Sequence, residues 1–112
     1  MTVTDFMLAR IAEDEAVARR AINSGADLVM TPTDLWNGPG QLPVIKGRRL
    51  LAECEAKRQI VEEAARLAAL HPDGLATAPE FTGARKALQH AVQLLALPYA
   101  SHPHYDETWR PR

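Results

Sequence analysis

GRRLLAECEAKRQIVEEAARLAAL, residues Gly47 to Leu70, is the longest run of the chain without proline or internal glycine. Good helix formers fill nearly every position, so the stretch predicts the central helix of the fold. At about 100° per residue, Leu50, Cys54, Val61, Ala65 and Ala68 make one apolar stripe, and Ala56, Ile60 and Leu67 make a second beside it. Two adjoining stripes call for two neighbours and place this helix in the middle. Arg48, Glu55, Glu62 and Arg66 share the opposite, wet face. Glu53 with Lys57 and Glu62 with Arg66 are i,i+4 pairs in the favoured order, acid first. His71 and Pro72 mark the end of the helix.

Glu53 and Lys57 break the pattern by falling inside the apolar arc. The plainer reading is a rim ion pair, with the lysine stem lying over apolar surface. The sharper reading is a polar site between helices. On the preceding segment, Met7, Leu8, Ile11, Ala18 and Ile22 line one face of a helix opening at Thr4-Asp5 and stopping at Ser24-Gly25. Glu15 lands in that face. Pairing with Arg19 is the plainer reading, and a reach to Lys57 across the helix interface is the sharper one. Glu15, Glu53 and Lys57 are thus a candidate interhelical polar cluster.

Between these helices the sequence changes character. Prolines 32, 39 and 43 and glycines 25, 38 and 40 exclude a long helix over 24–46. Leu28-Val29-Met30 and Val44-Ile45 are candidate partners in a marginal hairpin, with Asn37-Gly38-Pro39-Gly40 as the reversal. Trp36 is expected to pack as a lid. Gly38-Pro39-Gly40 has no following Gly-Lys-Ser/Thr, so it is no phosphate-binding loop.

Downstream, Thr77-Ala-Pro79-Glu80 has the spacing of a capping box and predicts a third helix from about Pro79 to Leu97. Phe81, Ala84, Leu88, Ala91, Val92 and Leu95 share its apolar face. Pro98 stops it. The tail PYASHPHYDETWRPR then carries Tyr99, Tyr105 and Trp109 between stiffening prolines. Such composition predicts a tail docked near Phe81 and Leu88 or on the first helix, with His102 and His104 left wetter. Tyr99, His102, His104, Tyr105, Trp109 and Arg110 are equally the candidate residues of an interface arm.

The bulk properties are ordinary. A length of 112 residues sets one domain, residues 1–112, as the expectation. A net charge of −1 with mixed signs is not the footprint of a general nucleic-acid binder. The single cysteine, Cys54, excludes an internal disulfide and suits a reducing cytosol. No apolar run approaches the roughly 20 residues of a membrane span, and the first residues hold no secretory apolar core. A cytoplasmic protein is expected.

No motif supplies chemistry. His71, His90, His102, His104 and Cys54 lack any paired metal-ligand spacing, so no metal and no cofactor is expected. Cys54 sits on an apolar stripe, where a thiol behaves as a small hydrophobe. Glu13, Asp14 and Glu15 are consecutive and diverge around a helix, so they are no acid–base pair. The basic residues of the second and third helices are interleaved with glutamates that cancel most of their field.

The last eighteen residues before Arg112, LLALPYASHPHYDETWRP (Leu94 to Pro111), resemble the terminal segment of a small actinobacterial and actinophage family of unknown function. ARIAEDEAVARRA (Ala9 to Ala21) and LLAECEAKRQIVEE (Leu50 to Glu63) are similar to that family's first and central helices. Many members carry cysteines and a Trp-Pro-Cys run ahead of the terminal motif. This chain has FTGARKALQHAVQ there, so no thiolate site carries over. The resemblance implies a fold and a lineage, and no activity.

The sequence therefore predicts an all-α, three-helix bundle-like domain with an irregular Gly/Pro-rich loop and an ordered tail. The first functional reading is a non-catalytic interaction or regulatory protein, binding a protein partner or itself. The second is a weak nucleic-acid binder, and the third an enzyme of unrecognised type using Glu15, Glu53 and Lys57.

Overall fold

The computed structural model describes residues 1–30, 44–70 and 79–111. The described chain is mostly helical. Helix α1 spans Val3–Asn23, α2 spans Gly47–Ala69 and α3 spans Pro79–Ala96. Strands β1 (Leu28–Met30) and β2 (Val44–Lys46) form a two-stranded antiparallel sheet. All-α therefore needs amending: the marginal hairpin is present, with Leu28 opposite Lys46 and Met30 opposite Val44. The expected reversal at Asn37–Gly40 and the Trp36 lid lie outside the described residues, as do Thr77, His71 and Pro72.

The chain divides into two compact units. One comprises residues 11–56. Its buried side chains include Ile11, Ala18 and Cys54. Here α1 ends as its sequence dictates: Gly25 takes a left-handed conformation (φ 86°) and its N–H reaches the Ile22 carbonyl at 3.1 Å. Asp27, also at positive φ (53°), then does three things. Its N–H closes on the Ala21 carbonyl at 3.0 Å, and its carbonyl accepts from Gly47 N–H at 3.1 Å. Its carboxylate accepts from Arg48 N–H at 3.0 Å.

That last bond explains how α2 begins. Ile45-Lys46 offers no capping side chain, and β2 runs into the helix without a loop. The Asp27–Gly47 bond continues the hairpin ladder by one residue, which sets Asp27 beside the exposed N–H groups of α2. Its carboxylate satisfies one of them and suits the positive helix end. Gly47 is required by the close approach. A Cβ there would lie 2.8 Å from Asp27 Oδ1, 2.9 Å from the Ala18 carbonyl and 3.1 Å from Ala21 Cβ.

The other unit comprises residues 1–10 and 57–112. Its core holds Val3, Phe6, Met7, Val61, Ala64, Val92 and Ala96. Helix α1 opens two residues earlier than expected. Thr2 Oγ1 accepts from Asp5 N–H at 3.1 Å while Thr2 N–H donates to the Asp5 carboxylate at 3.3 Å, a reciprocal cap in which Asp5 takes the part usually given to glutamate. Thr4 lies one residue inside the helix.

Along α2, the first stripe is only partly interior. Cys54 and Val61 are buried, Leu50 and Ala65 half-buried, and Ala68 exposed. In the second stripe Leu67 is half-buried, while Ala56 and Ile60 are exposed. The ion pairs also differ from the expected ones. Glu53 pairs with Arg49 at 3.1 Å, Glu62 with Arg58 at 3.9 Å and Glu63 with Arg66. Lys57 is drawn elsewhere. Helix α3 ends at Ala96, and a 3-10 turn over Leu97–Tyr99 takes in Pro98.

Candidate functional site

The residues with most to offer function lie in the unit of residues 1–10 and 57–112, around Phe6 and along α3. Phe6 is 1% exposed and is the hub of the tail. Its ring meets Tyr99 at 6.4 Å between centroids, His102 at 5.5 Å and Tyr105 at 5.9 Å, each edge to face. Trp109 lies 5.1 Å away, tilted by 50°. Tyr105 and Trp109 meet edge to face at 5.5 Å. These geometries suit ring quadrupoles, each pair contributing about 0.5–1.5 kcal/mol beyond buried area. Arg10, also buried, places its guanidinium 5.2 Å from the Phe6 centroid.

The tail folds to reach this hub. Its backbone turns are closed by Ala100 N–H on Leu97, His102 N–H on Tyr99 and Tyr105 N–H on His102. Asp106 then caps a 3-10 turn over Glu107–Trp109, its carboxylate accepting from Thr108 N–H at 2.9 Å and from the Thr108 hydroxyl at 2.8 Å. Those bonds, the backbone one foremost, hold the Asp106 carboxyl below its ordinary range. Glu107 is likewise held low, by the hydrogen bond from Arg110.

The tail residues named from sequence are thus brought together, on the first helix. One expectation needs correcting. His104 is exposed, but His102 is half-buried and turned inward. His104 N–H donates to His102 Nδ1 at 3.0 Å, and Nε2 lies against Nη1 of Arg10. A ring nitrogen facing a guanidinium is badly placed to bind a metal ion. Among the described residues no group of three or more His, Cys, Asp or Glu could hold one. No helix among them is long and apolar enough to cross a membrane.

The polar trio is placed as follows. Glu15 is half-buried on α1, Glu53 receives the Arg49 guanidinium, and the Lys57 ammonium stands 5.9 Å from the Tyr99 ring centroid. The lysine in the apolar arc is therefore a cation over an aromatic face.

Two hollows open beside α3. The first, about 560 Å³, has Ala64 and Ala68 of α2 as its floor. Its wall is a single stripe of α3: Thr82, Arg85, Lys86, Gln89, His90 and Gln93. The second, about 590 Å³, shares Ala68 and Gln89 with the first and continues past Ala65 and Ala69 to Val3 and Trp109. The Arg85 guanidinium is held 5.9 Å from the Phe81 ring centroid.

Phe6 and Arg10 were not singled out from the sequence, and Arg85, Lys86 and His90 were weighed there only as nucleic-acid or metal candidates, not as one stripe with Thr82, Gln89 and Gln93. The stripe had a signal, a 3–4-residue recurrence of polar donors; Phe6 had none beyond being an aromatic on a helix. No curated protein and no solved structure matches the chain. Residues 1–111 match a family described as of unknown function, and the chain belongs to that family, DUF6221.

Proposed function

We propose that this protein is a non-catalytic interaction module that offers the trough beside α3 to a protein partner. The observation that carries this reading is the trough itself, an open channel with a methyl floor and a wall of hydrogen-bond donors. Binding surfaces work best on rigid supports. The Phe6 hub, which clasps the tail, supplies one beside the Trp109 end. We further propose that residues 1–112 form one bundle-like domain, that the protein works in the cytoplasm, and that it descends from an actinobacterial or phage lineage. The last point rests on the terminal segment from Leu94 to Pro111.

The test is affinity capture from the native cell, with a photo-crosslinking side chain at Gln89 and mass spectrometry of the adducts. The native mass of the protein is measured in parallel. A protein crosslinked through Gln89, and lost from the R85E/K86E double variant, is the expected result. Nuclease-sensitive adducts to RNA or DNA would favour the nucleic-acid reading instead. A crosslinked second copy would make the module a homo-oligomer.

A further inference from the structure

We propose that the trough takes an acidic peptide segment, with its carboxylates at Arg85 and Lys86 and an apolar side chain at the Trp109 end. This inference rests on the interaction reading above and names the chemistry of the partner. Four observations carry it.

The first is charge. The chain has 14 acidic residues against 13 Lys and Arg, yet none of the described residues lining either hollow carries a carboxylate. The wall offers two cations, an imidazole, two amides and a hydroxyl. Such a surface is complementary to negative groups and penalises cationic ones.

The second is preorganisation. The Arg85 guanidinium already lies over the Phe81 ring. A guanidinium held this way loses less freedom when a carboxylate takes its paired N–H groups.

The third is the shape of the wall. Thr82 to Gln93 is three turns of α3, about 16 Å. That length accommodates about five residues of extended chain at about 3.3 Å each. Gln89 and Gln93, one turn apart, can each donate to and accept from a peptide main chain. Ala64 and Ala68, also one turn apart, leave the floor low enough for that chain to approach α2 closely.

The fourth is the gradient along the trough. Past Ala68 and Gln89 the charged wall gives way to Ala65, Ala69, Val3 and Trp109, with the uncharged Thr2 and Thr4 beside them. An acidic segment ending in an aromatic or aliphatic anchor fits both ends. A nucleic-acid strand fits less well. Two fixed cations would neutralise only about two phosphates, which gives weak binding at physiological salt.

The experiment titrates the full-length, 15N-labelled protein with the peptide acetyl-DEDEGLF-amide and follows its amide and indole resonances. Saturable shifts are expected at Ala64, Ala68, Gln89 and Gln93 and at the Trp109 indole. R85E/K86E should weaken binding by about tenfold or more, a loss of about 1.4 kcal/mol or more. Its melting temperature should stay unchanged. R48E/R49E, which alters exposed arginines at the start of α2, should bind as the parent does. Replacing the peptide's phenylalanine by alanine should abolish the indole shift and leave those near Arg85. The proposal is overturned by the absence of saturable shifts at millimolar peptide. It is also overturned if inorganic phosphate or a short oligothymidine moves the same resonances at lower concentration. The two readings fail separately. A partner crosslinked elsewhere than Gln89 removes the acidic-peptide proposal and leaves the interaction reading. Peptide binding without any captured protein does the reverse.

Discussion

Two glycines show how little a residue's type says before its neighbours are known. Gly47 and Gly83 both sit in helices, where replacement by alanine normally adds about 0.5–1 kcal/mol of stability. At Gly83 a Cβ would meet nothing within 4 Å. G83A should therefore raise the melting temperature by a few degrees. At Gly47 the new carbon would press on the Ala18 carbonyl and the Asp27 carboxylate. The backbone oxygen cannot step aside, and the side chain that could is the cap of α2. G47A should instead cost about 1–3 kcal/mol, as overpacking does. Thermal denaturation followed by circular dichroism tests both signs; a stabilised G47A would contradict the close approach. The Tyr105 hydroxyl is buried without a hydrogen-bond partner among the described residues. Leaving such a group unsatisfied costs about 1–3 kcal/mol. Y105F should accordingly match or exceed the parent in stability, and a clear loss would reveal a partner for that oxygen.

The tail is a structural element, although its regular structure among the described residues is two short 3-10 turns. Truncation after Ala100 removes His102, Tyr105 and Trp109 from the Phe6 ring and should lower the melting temperature. Phe6→Ala should reproduce much of that loss, about 3–5 kcal/mol for a buried aromatic. If the truncated protein melts as the parent does yet no longer binds a partner, the tail is an interface arm. Acid should loosen the same element. The Asp106 carboxyl is held low by Thr108, so its stabilisation is complete above the ordinary aspartate value and fades as pH falls through the lowered one. The gap in melting temperature between the parent and D106A should be full at pH 7 and narrow below about pH 4. A gap independent of pH would remove the charge from the argument. The helices were legible because each carries its own 3.6-residue period, and the strand pair because the short runs Leu28-Val29-Met30 and Val44-Ile45 flank a Gly/Pro-rich segment. The start of α2 was not fully explained by its sequence, since its capping carboxylate comes from Asp27, twenty-one residues before Arg48. The docking of the tail was legible from its aromatics, but the choice between Phe81 with Leu88 and the first helix was not. Nothing local in the first helix says that residue 6 rather than residue 81 will meet residue 109. His102 was misread for the same reason: its environment is set by Arg10, on another element.

At the scale of the molecule, stability is expected to rest on side-chain packing and hydrogen bonds. Prolonged treatment with EDTA should leave the melting temperature unchanged. A large drop restored by zinc would promote the histidines to ligands. The trough beside α3 and the Phe6 hub share Trp109, which lines one and packs within the other. That shared residue couples the proposed binding surface to the integrity of the tail. The hub also sets an order in time. Phe6 is synthesised about a hundred residues before Trp109, an interval of about 5–20 s at ordinary translation rates. Throughout that interval Phe6 cannot find the rings that will surround it. The ring contacts that bury Phe6 are complete only when Trp109 joins Tyr99, His102 and Tyr105. On the ribosome, the hub is closed only once Trp109 has emerged.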